Sequence, residues 1–424
     1  MERIISQYLE KWKNGTNRKP LIFSGARQIG KSYSIREFGT KHFEKIIEIN
    51  FEKRRDLHAV FEFNLDAARI TKELEILLGM DIMSGKNLLF FDEVQSCPNA
   101  LQSLRYFYED IHHIPIIAAG SLFDFEFRNI SFPVGRVEFL QMYPMNFQEF
   151  LYAVGQEKLW QFILNEDIIP EHIQKQIYEL LDDYFFVGGM PEVVQTYVLE
   201  KDYTKVQKVQ GDLLYAYEND FSKYQPVVNK DCLLEILGGL AKNIGSQVIY
   251  TKLSNYFSSI TIKKGVTVLN IARLIHKVQN VAIGGVPLLS SGKQFKMIFS
   301  DIGLLSKLCG ITPSDRILKD KWTAHFKGFM AEQFVGQELL IKYNKLQYWA
   351  RTEPGANSEV DYIIVEDGNI LPIEVKAGEK GSLKSLHTLF EKHPHIEQAI
   401  VLSKSKSGQI EKIKFVPLYK VGLL

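Results

Sequence analysis

The chain has 424 residues, enough for two or three domains, and 46% hydrophobic against 24% charged residues is the balance of a globular protein with buried cores. Lys+Arg of 51 against Asp+Glu of 50 leaves a net charge of +1, so no global field draws the chain to nucleic acid or membrane, and any basic surface must be local. Cys97, Cys232 and Cys309 are too scattered for a disulfide framework or a zinc cluster; with no signal-peptide core in MERIISQYLEKWKNG and no run near the ~18 apolar residues of a membrane span, the expectation is a cytoplasmic protein with no membrane partner.

Through the first 150 residues, short apolar runs of strand length at Leu21–Ser24, Ile46–Phe51, Asn87–Phe91, Pro115–Ala119 and Val137–Met142 alternate with helix-like segments such as Leu101–Ile111. That alternation predicts an α/β unit with a parallel sheet covered on both faces. Between the first strand and a helix opening at Lys31, the run Gly25-Ala26-Arg27-Gln28-Ile29-Gly30-Lys31-Ser32 fits G-x-x-x-x-G-K-S/T. Glycines let backbone N–H groups turn inward around phosphate oxygens, and the helix N-terminus adds positive dipole. Lys31 is expected to reach the β- and γ-phosphates of ATP and Ser32 to ligate Mg²⁺, with the loop and the following Tyr33 forming the nucleotide-binding segment. The strand Leu88–Phe91 runs into Asp92 and Glu93, which puts two carboxylates at the edge of the sheet where ligands bind. Asp92 is expected to hold the Mg²⁺ shell and Glu93 to polarise the attacking water. Ser121, after the run Ile114–Ala119, is either a γ-phosphate or water sensor or a helix N-cap. Arg136 is a candidate charge stabiliser, in its own subunit or a neighbour's, with a plain surface arginine as the other reading.

From residue 151 to 310 the pattern turns helical, as at Ile173–Phe185 and Val206–Tyr217, with a Gly-Gly-Met-Pro turn at Gly188–Pro191. Ser246–Leu308 reads as short helices followed by a two-stranded wing at Pro287–Ser300, the outline of a winged helix. Its Lys263, Lys264, Arg273 and Lys277 either touch phosphates or face solvent. Ile311–Asp320 is the most linker-like stretch. A third unit, 320–424, then predicts a helix at Gly328–Tyr343, strands at Leu346–Arg351, Glu359–Val365 and Ile370–Lys376, a helix at Leu383–His393 and a strand at Gln398–Ser403; Lys404–Gly408 reads as a solvated turn.

The set Gly25–Ser32, Phe91-Asp-Glu-Val-Gln95, Ala119-Gly-Ser-Leu122 and Gly135-Arg136 followed by Tyr143-Pro-Met145 resembles the bacterial and archaeal AAA-type ATPases that carry a C-terminal domain of unknown function (DUF4143). Gly188–Pro191 and Ser300-Asp-Ile-Gly-Leu-Leu305 resemble that second domain. The resemblance spans nearly the whole chain and implies a P-loop AAA-type core, with little said about biological role.

In the last unit, Glu332 on the predicted helix, Asp361, and Glu374-Val375-Lys376 follow the order E…D…E-x-K, which resembles the PD-(D/E)XK nuclease superfamily with its restriction-endonuclease-like fold. The geometry can be built from the residues themselves. Glu374 and Lys376 share one face of a strand. Asp367-Gly368 is a hairpin-turn signal, and a hairpin centred there pairs Glu366 with Asn369 and brings Asp361 opposite Glu374. Two carboxylates so placed repel unless a cation joins them, and Mg²⁺ suits a few carboxylates, water and phosphate. On the nuclease reading Asp361 and Glu374 hold the metal, Glu332 completes the site and Lys376 stabilises charge on the scissile phosphate. Two other readings stay open: a solvated strand face, and a nuclease-like fold used for docking or nucleic-acid binding without cleavage. The expected function is therefore an ATPase coupled to a Mg²⁺-dependent nuclease-like domain acting on DNA or RNA, or else an ATP-controlled switch that binds a partner. ATP and ADP are the expected ligands; the sequence leaves the oligomeric state open, with a homo-oligomer as one alternative.

Overall fold

In the computed structural model the described residues are 3–120, 135–224, 227–317, 324–351, 358–378 and 381–424. The chain forms two compact units, Met1–Tyr143 and Pro144–Leu424.

The first unit holds five strands, β1 (Leu21–Gly25), β2 (Ile46–Asn50), β3 (Leu88–Asp92), β4 (Ile116–Ala119) and β5 (Glu138–Met142). All pairs are parallel, in the order β2-β3-β4-β1-β5. Every residue of β1, β3 and β4 is buried, as continuous apolar runs covered on both faces must be. The edge strands β2 and β5 are partly exposed. Helices α1 (Ile5–Asn14), α2 (Lys31–His42), α3 (Ala67–Leu78) and α4 (Pro98–Asp110) complete the unit. Local chemistry fixes their ends: Asp66 caps α3 by accepting from the Arg69 amide at 2.7 Å, Gly79 closes it at φ 64°, and Pro98 opens α4. The core includes edge-to-face rings, Phe51 to Phe91 at 5.4 Å and Phe51 to Phe61 at 5.5 Å between centroids.

The second unit opens with α5 (Phe147–Ala153), α6 (Glu157–Asn165), α7 (Glu171–Val187), α8 (Pro191–Glu200) and α9 (Tyr203–Asp220). Two more helices, α10 (Lys230–Lys242) and α11 (Ser259–Ile271), precede an antiparallel hairpin of β6 (Ile275–Ala282) and β7 (Leu289–Phe299). The hairpin lies where a wing was expected at Pro287–Ser300, but its first strand begins earlier, at Ile275. β6 also pairs in parallel with β8 (Leu346–Ala350), so the wing belongs to the same sheet as the C-terminal strands. The linker-like stretch was expected at Ile311–Asp320. The supposed linker there carries α13 (Pro313–Ile317), just after α12 (Ile302–Leu308). It is anchored by Arg316, which is buried and donates through Nε to Asp183 Oδ1 at 3.0 Å. Asp183 also accepts from Tyr197 at 2.9 Å and Tyr203 at 2.5 Å.

Beyond it come α14 (Ala324–Tyr343), β9 (Glu359–Glu366), β10 (Asn369–Val375), α15 (Lys384–Lys392), β11 (Ala399–Ser403), β12 (Gly408–Ile410) and β13 (Ile413–Pro417). The eight-stranded mixed sheet runs β12-β13-β11-β10-β9-β8-β6-β7. The last two strands were not anticipated: Lys404–Gly408 leads into β12, and β13 extends the sheet in parallel beside β11. Among the described residues no helix is long and apolar enough to cross a membrane.

Candidate functional site

The loop between β1 and α2 is built for close backbone approach. Gly25 has φ 153°, and a Cβ there would lie 2.4 Å from the Met142 carbonyl oxygen and 2.6 Å from Ile29 Cδ1. Gly30 sits at φ 89°, a conformation that side chains disfavour, and gives α2 no side-chain cap. Gln28 is also left-handed, at φ 62°. The buried Arg3 braces the turn from outside the motif, donating to the Ile29 carbonyl at 3.0 Å and the Tyr143 carbonyl at 2.7 Å. Lys31 Nζ is held over the loop by the carbonyls of Gly25 at 3.1 Å and Ala26 at 2.6 Å. Burial pushes its ammonium down to about 8, with the Arg27 charge adding to the fall and Glu93 and Asp92 opposing it. Tyr33, by contrast, is 58% exposed on the first turn of α2.

β3 lies one strand away from β1, across β4, and brings its two acids to the same edge. Ser32 Oγ donates to Asp92 Oδ1 at 3.0 Å, and Asn50, at the end of β2, donates to Asp92 Oδ2 at 3.0 Å. Burial raises the Asp92 carboxyl above its ordinary range, against the hydrogen bonds from Ser32 and Asn50. Arg36 pairs with Glu48 through two contacts of 2.7 Å and lies 3.9 Å from Asp92 Oδ2. Glu93 adopts φ 50°, a strained conformation for a residue with a side chain, of a kind that clusters at functional sites. Its Oε2 accepts from Gln95 Nε2 at 2.5 Å. The residues fit a magnesium nucleotide. Neighbouring ligands of an octahedral Mg²⁺ stand about 3 Å apart, and the Ser32 and Asp92 oxygens have that spacing. Asn50, Arg36 and Arg3 escaped sequence reasoning, and Gln95 entered it only as part of a motif, with no role assigned. Asn50 alone had a signal, a polar residue ending an apolar strand at the ligand edge.

Two other candidates fare differently. Ser121 lies outside the described residues. Arg136 precedes β5, which runs parallel to β1, so it stands at the opposite edge of the sheet from the loop, roughly one five-residue strand or ~16 Å away. Its guanidinium is exposed and pairs with Glu109 at 2.7 Å. A role at the nucleotide of its own subunit is therefore excluded by distance.

In the second unit the hairpin register is the one the turn predicts: Asn369 faces Glu366 and Ile373 faces Tyr362, so Glu374 follows opposite Asp361. Asp361 Oδ2 accepts from the Val375 amide at 2.8 Å, and Lys376 Nζ donates to Glu374 Oε1 at 2.6 Å. Glu374 Oε2 is buried without a hydrogen-bond partner. Burial raises the Glu374 carboxyl, helped by Asp361 and opposed by Lys376; burial likewise raises that of Glu332, against Lys296. The unforeseen member is Lys296 on β7, 2% exposed, whose ammonium lies 2.8 Å from Glu332 Oε1 and 3.9 Å from Asp361 Oδ1 and also pairs with Glu359. Burial works against that ammonium, but the pull of Glu332, Asp361 and Glu359 outweighs it and holds Lys296 well above the ordinary lysine range. Among the described residues no group of three His, Cys, Asp or Glu side chains is arranged to hold a metal ion. Of the expected metal set, Glu332 and Asp361 thus gather around Lys296, while Glu374 pairs with Lys376. The signal for Lys296 was a lone charge in the otherwise apolar run from Phe295 to Phe299.

The two glycine-rich motifs of the middle region meet each other. Asp301 Oδ2 accepts from the Gly189 amide at 2.6 Å and Oδ1 from the Leu304 amide at 2.8 Å, while the Gly189 carbonyl accepts from the Met145 amide at 2.7 Å. A Cβ on Gly189 would lie 1.9 Å from the Met145 carbonyl oxygen. These motifs serve packing.

Residues 17–151 match the family described as an AAA domain. Nearly the whole first unit is thus matched as an AAA domain. Residues 178–315 match one domain of unknown function (DUF8612) and residues 327–421 a second (DUF4143), the C-terminal domain that the motifs had implied. No curated protein is similar to this chain. Among solved structures, the Walker-type ATPase of Pyrococcus abyssi is 15% identical, covering 72% of this chain and 94% of its own at a TM-score of 0.45. AMPPCP-bound DnaA from Aquifex aeolicus is 16% identical, covering 64% and 75% at 0.26, and the Aeropyrum pernix ORC1 protein in complex with DNA is 10% identical, covering 72% and 90% at 0.27.

Proposed function

We propose that the chain is a Mg²⁺-dependent ATP hydrolase whose second unit is a nucleotide-controlled recognition module. The observation that carries the first half is the Ser32–Asp92 hydrogen bond at 3.0 Å beside the half-buried Lys31, whose ammonium the Gly25 and Ala26 carbonyls hold over the loop. In this reading Ser32 and Asp92 would hold Mg²⁺, which would supply charge neutralisation on the phosphates. The backbone from Gly25 to Ser32 and the Lys31 ammonium bind and orient the phosphate chain. Glu93, fixed by Gln95, orients a water and takes its proton. Arg136 can reach nucleotide only on a neighbouring copy, which is the one route by which a homo-oligomer enters the mechanism.

For the second unit, the order α14-β8-β9-β10-α15-β11 with Asp361 and Glu374 opposed supports a PD-(D/E)XK-like fold. Nucleic acid and protein are the two partner classes such a fold serves, and the exposed Lys263 and Lys264 on α11 favour nucleic acid. Recognition is favoured over cleavage because Lys296 stands among the acids. The test is phosphate release from ATP by the full chain. Turnover should require Mg²⁺ and vanish in Lys31→Ala; equal turnover in the variant would remove the assignment. DNA or RNA affinity should differ between the ATP-bound and nucleotide-free protein, because a ligand shifts only an equilibrium whose two states it binds unequally.

A further inference from the structure

A PD-(D/E)XK-like arrangement calls for a divalent cation between the acids of β9 and β10, and the residues present do not fit one. Three carboxylates, Glu332 from α14 and Glu359 and Asp361 from β9, converge on the ammonium of Lys296. The other oxygen of Asp361 is taken by the Val375 amide, and Oε1 of Glu374 by Lys376. Lys296 also lies 5.4 Å from the face of the Tyr348 ring, a further contact suited to a cation. A divalent ion on the same carboxylates would sit within about 4 Å of a buried ammonium and be repelled by it.

We propose that Lys296 is a built-in counter-cation: its ammonium holds the place of the metal, which leaves the acidic cluster a closed joint linking β7 to α14 and β9, with no catalytic ion. β7 stands apart from β9 in the sheet, with β8 and β6 between them, so the joint ties the far side of the sheet to the nuclease-like core and explains why the wing does not fold as a separate domain. The charge balance follows: two ammonium groups, Lys296 and Lys376, stand among four acids, and removing Lys296 exposes carboxylates that only another cation can reconcile.

The experiment is a Mn²⁺ titration of the nucleotide-free full chain, with free Mn²⁺ read by electron paramagnetic resonance, on wild type, Asp361→Asn, Lys296→Met and the double variant Lys296→Met with Asp361→Asn. Wild type and Asp361→Asn should take up the same Mn²⁺ at every concentration up to about 1 mM, far above what a dedicated carboxylate site needs. Lys296→Met should gain one equivalent of Mn²⁺ with a rise in thermal midpoint, and both should disappear in the double variant. Uptake by wild type that is lost in Asp361→Asn would mean that Asp361 and the unpartnered Glu374 Oε2 bind metal beside Lys296, and would overturn the proposal. A folded Lys296→Met that binds no more Mn²⁺ than wild type would also overturn it. If Lys296→Met does not fold, the comparison of wild type with Asp361→Asn decides alone. ATP turnover by the same samples reports on the nucleotide site separately, so failure of one assignment does not imply failure of the other.

Discussion

Lys31→Met should make the nucleotide-free protein more stable while destroying its use for ATP. The native environment holds the ammonium at about 8 against an ordinary 10.5, chiefly through burial. That difference corresponds to a penalty of about 3 kcal/mol for folding with Lys31 charged. Methionine removes the charge and keeps the apolar stem, but forfeits the contacts to the Gly25 and Ala26 carbonyls, at about 1 kcal/mol each. The net gain is about 1 kcal/mol, or roughly 3 °C for a unit of this size. The pH dependence supplies a second check. Because the folded-state value lies below the unfolded one, the unfolded chain binds more protons between about 8 and 10.5, so wild-type stability rises with pH across that window. The penalty is complete below 8, and the advantage of Lys31→Met should shrink by about 1 kcal/mol between pH 7.5 and 9. Thermal unfolding of both proteins without nucleotide, at both pH values, measures this. A Lys31→Met protein less stable than wild type at pH 7.5, or a gap that does not close at pH 9, would refute the reasoning.

Glu93→Gln should keep ATP affinity and lose turnover by about 100-fold or more, since the amide cannot take the water's proton; single-turnover phosphate release against nucleotide binding separates the two. Gly189→Ala should cost about 3 kcal/mol or more in chemical denaturation, because the new Cβ meets backbone atoms of Met145 at 1.9 and 2.7 Å that have no rotamer to change. Gly238→Ala, in α10 with nothing within 4 Å of the new Cβ, should instead gain ~0.5–1 kcal/mol in the same assay. Arg316→Met should cost about 3 kcal/mol, read from the denaturation midpoint, since it leaves Asp183 buried with only the Tyr197 and Tyr203 hydroxyls.

What could be read in advance divides along the range of the forces involved. Local chemistry was legible. The strand–loop–helix around Gly25–Ser32 follows from glycine spacing, and the turn at Asp367-Gly368 fixed a register in which Asp361 faces Glu374. Long-range neighbours were not. Nothing near Lys296 in sequence announces Glu332, 36 residues on, nor does Arg316 announce Asp183, 133 residues earlier. The wing was misplaced because β6 pairs with β8, an association decided by sheet assembly rather than by the hairpin's own turn. Arg136 was placed by motif order, whereas strand direction puts it on the wrong edge. Motif reading also gave Gly188–Pro191 and Ser300–Leu305 no mechanical role, which emerges only when Asp301 is seen binding the Gly189 amide.

The central claim is that the loop from Gly25 to Ser32 holds the phosphates of a magnesium nucleotide. Isothermal calorimetry of the purified full chain with ATP measures this most directly. Saturable heat with Mg²⁺ present, at one nucleotide per chain and weakened when Asp92 is changed to Asn, is the predicted result. No heat from wild type, or the same isotherm from the Asp92→Asn protein with and without Mg²⁺, would contradict it.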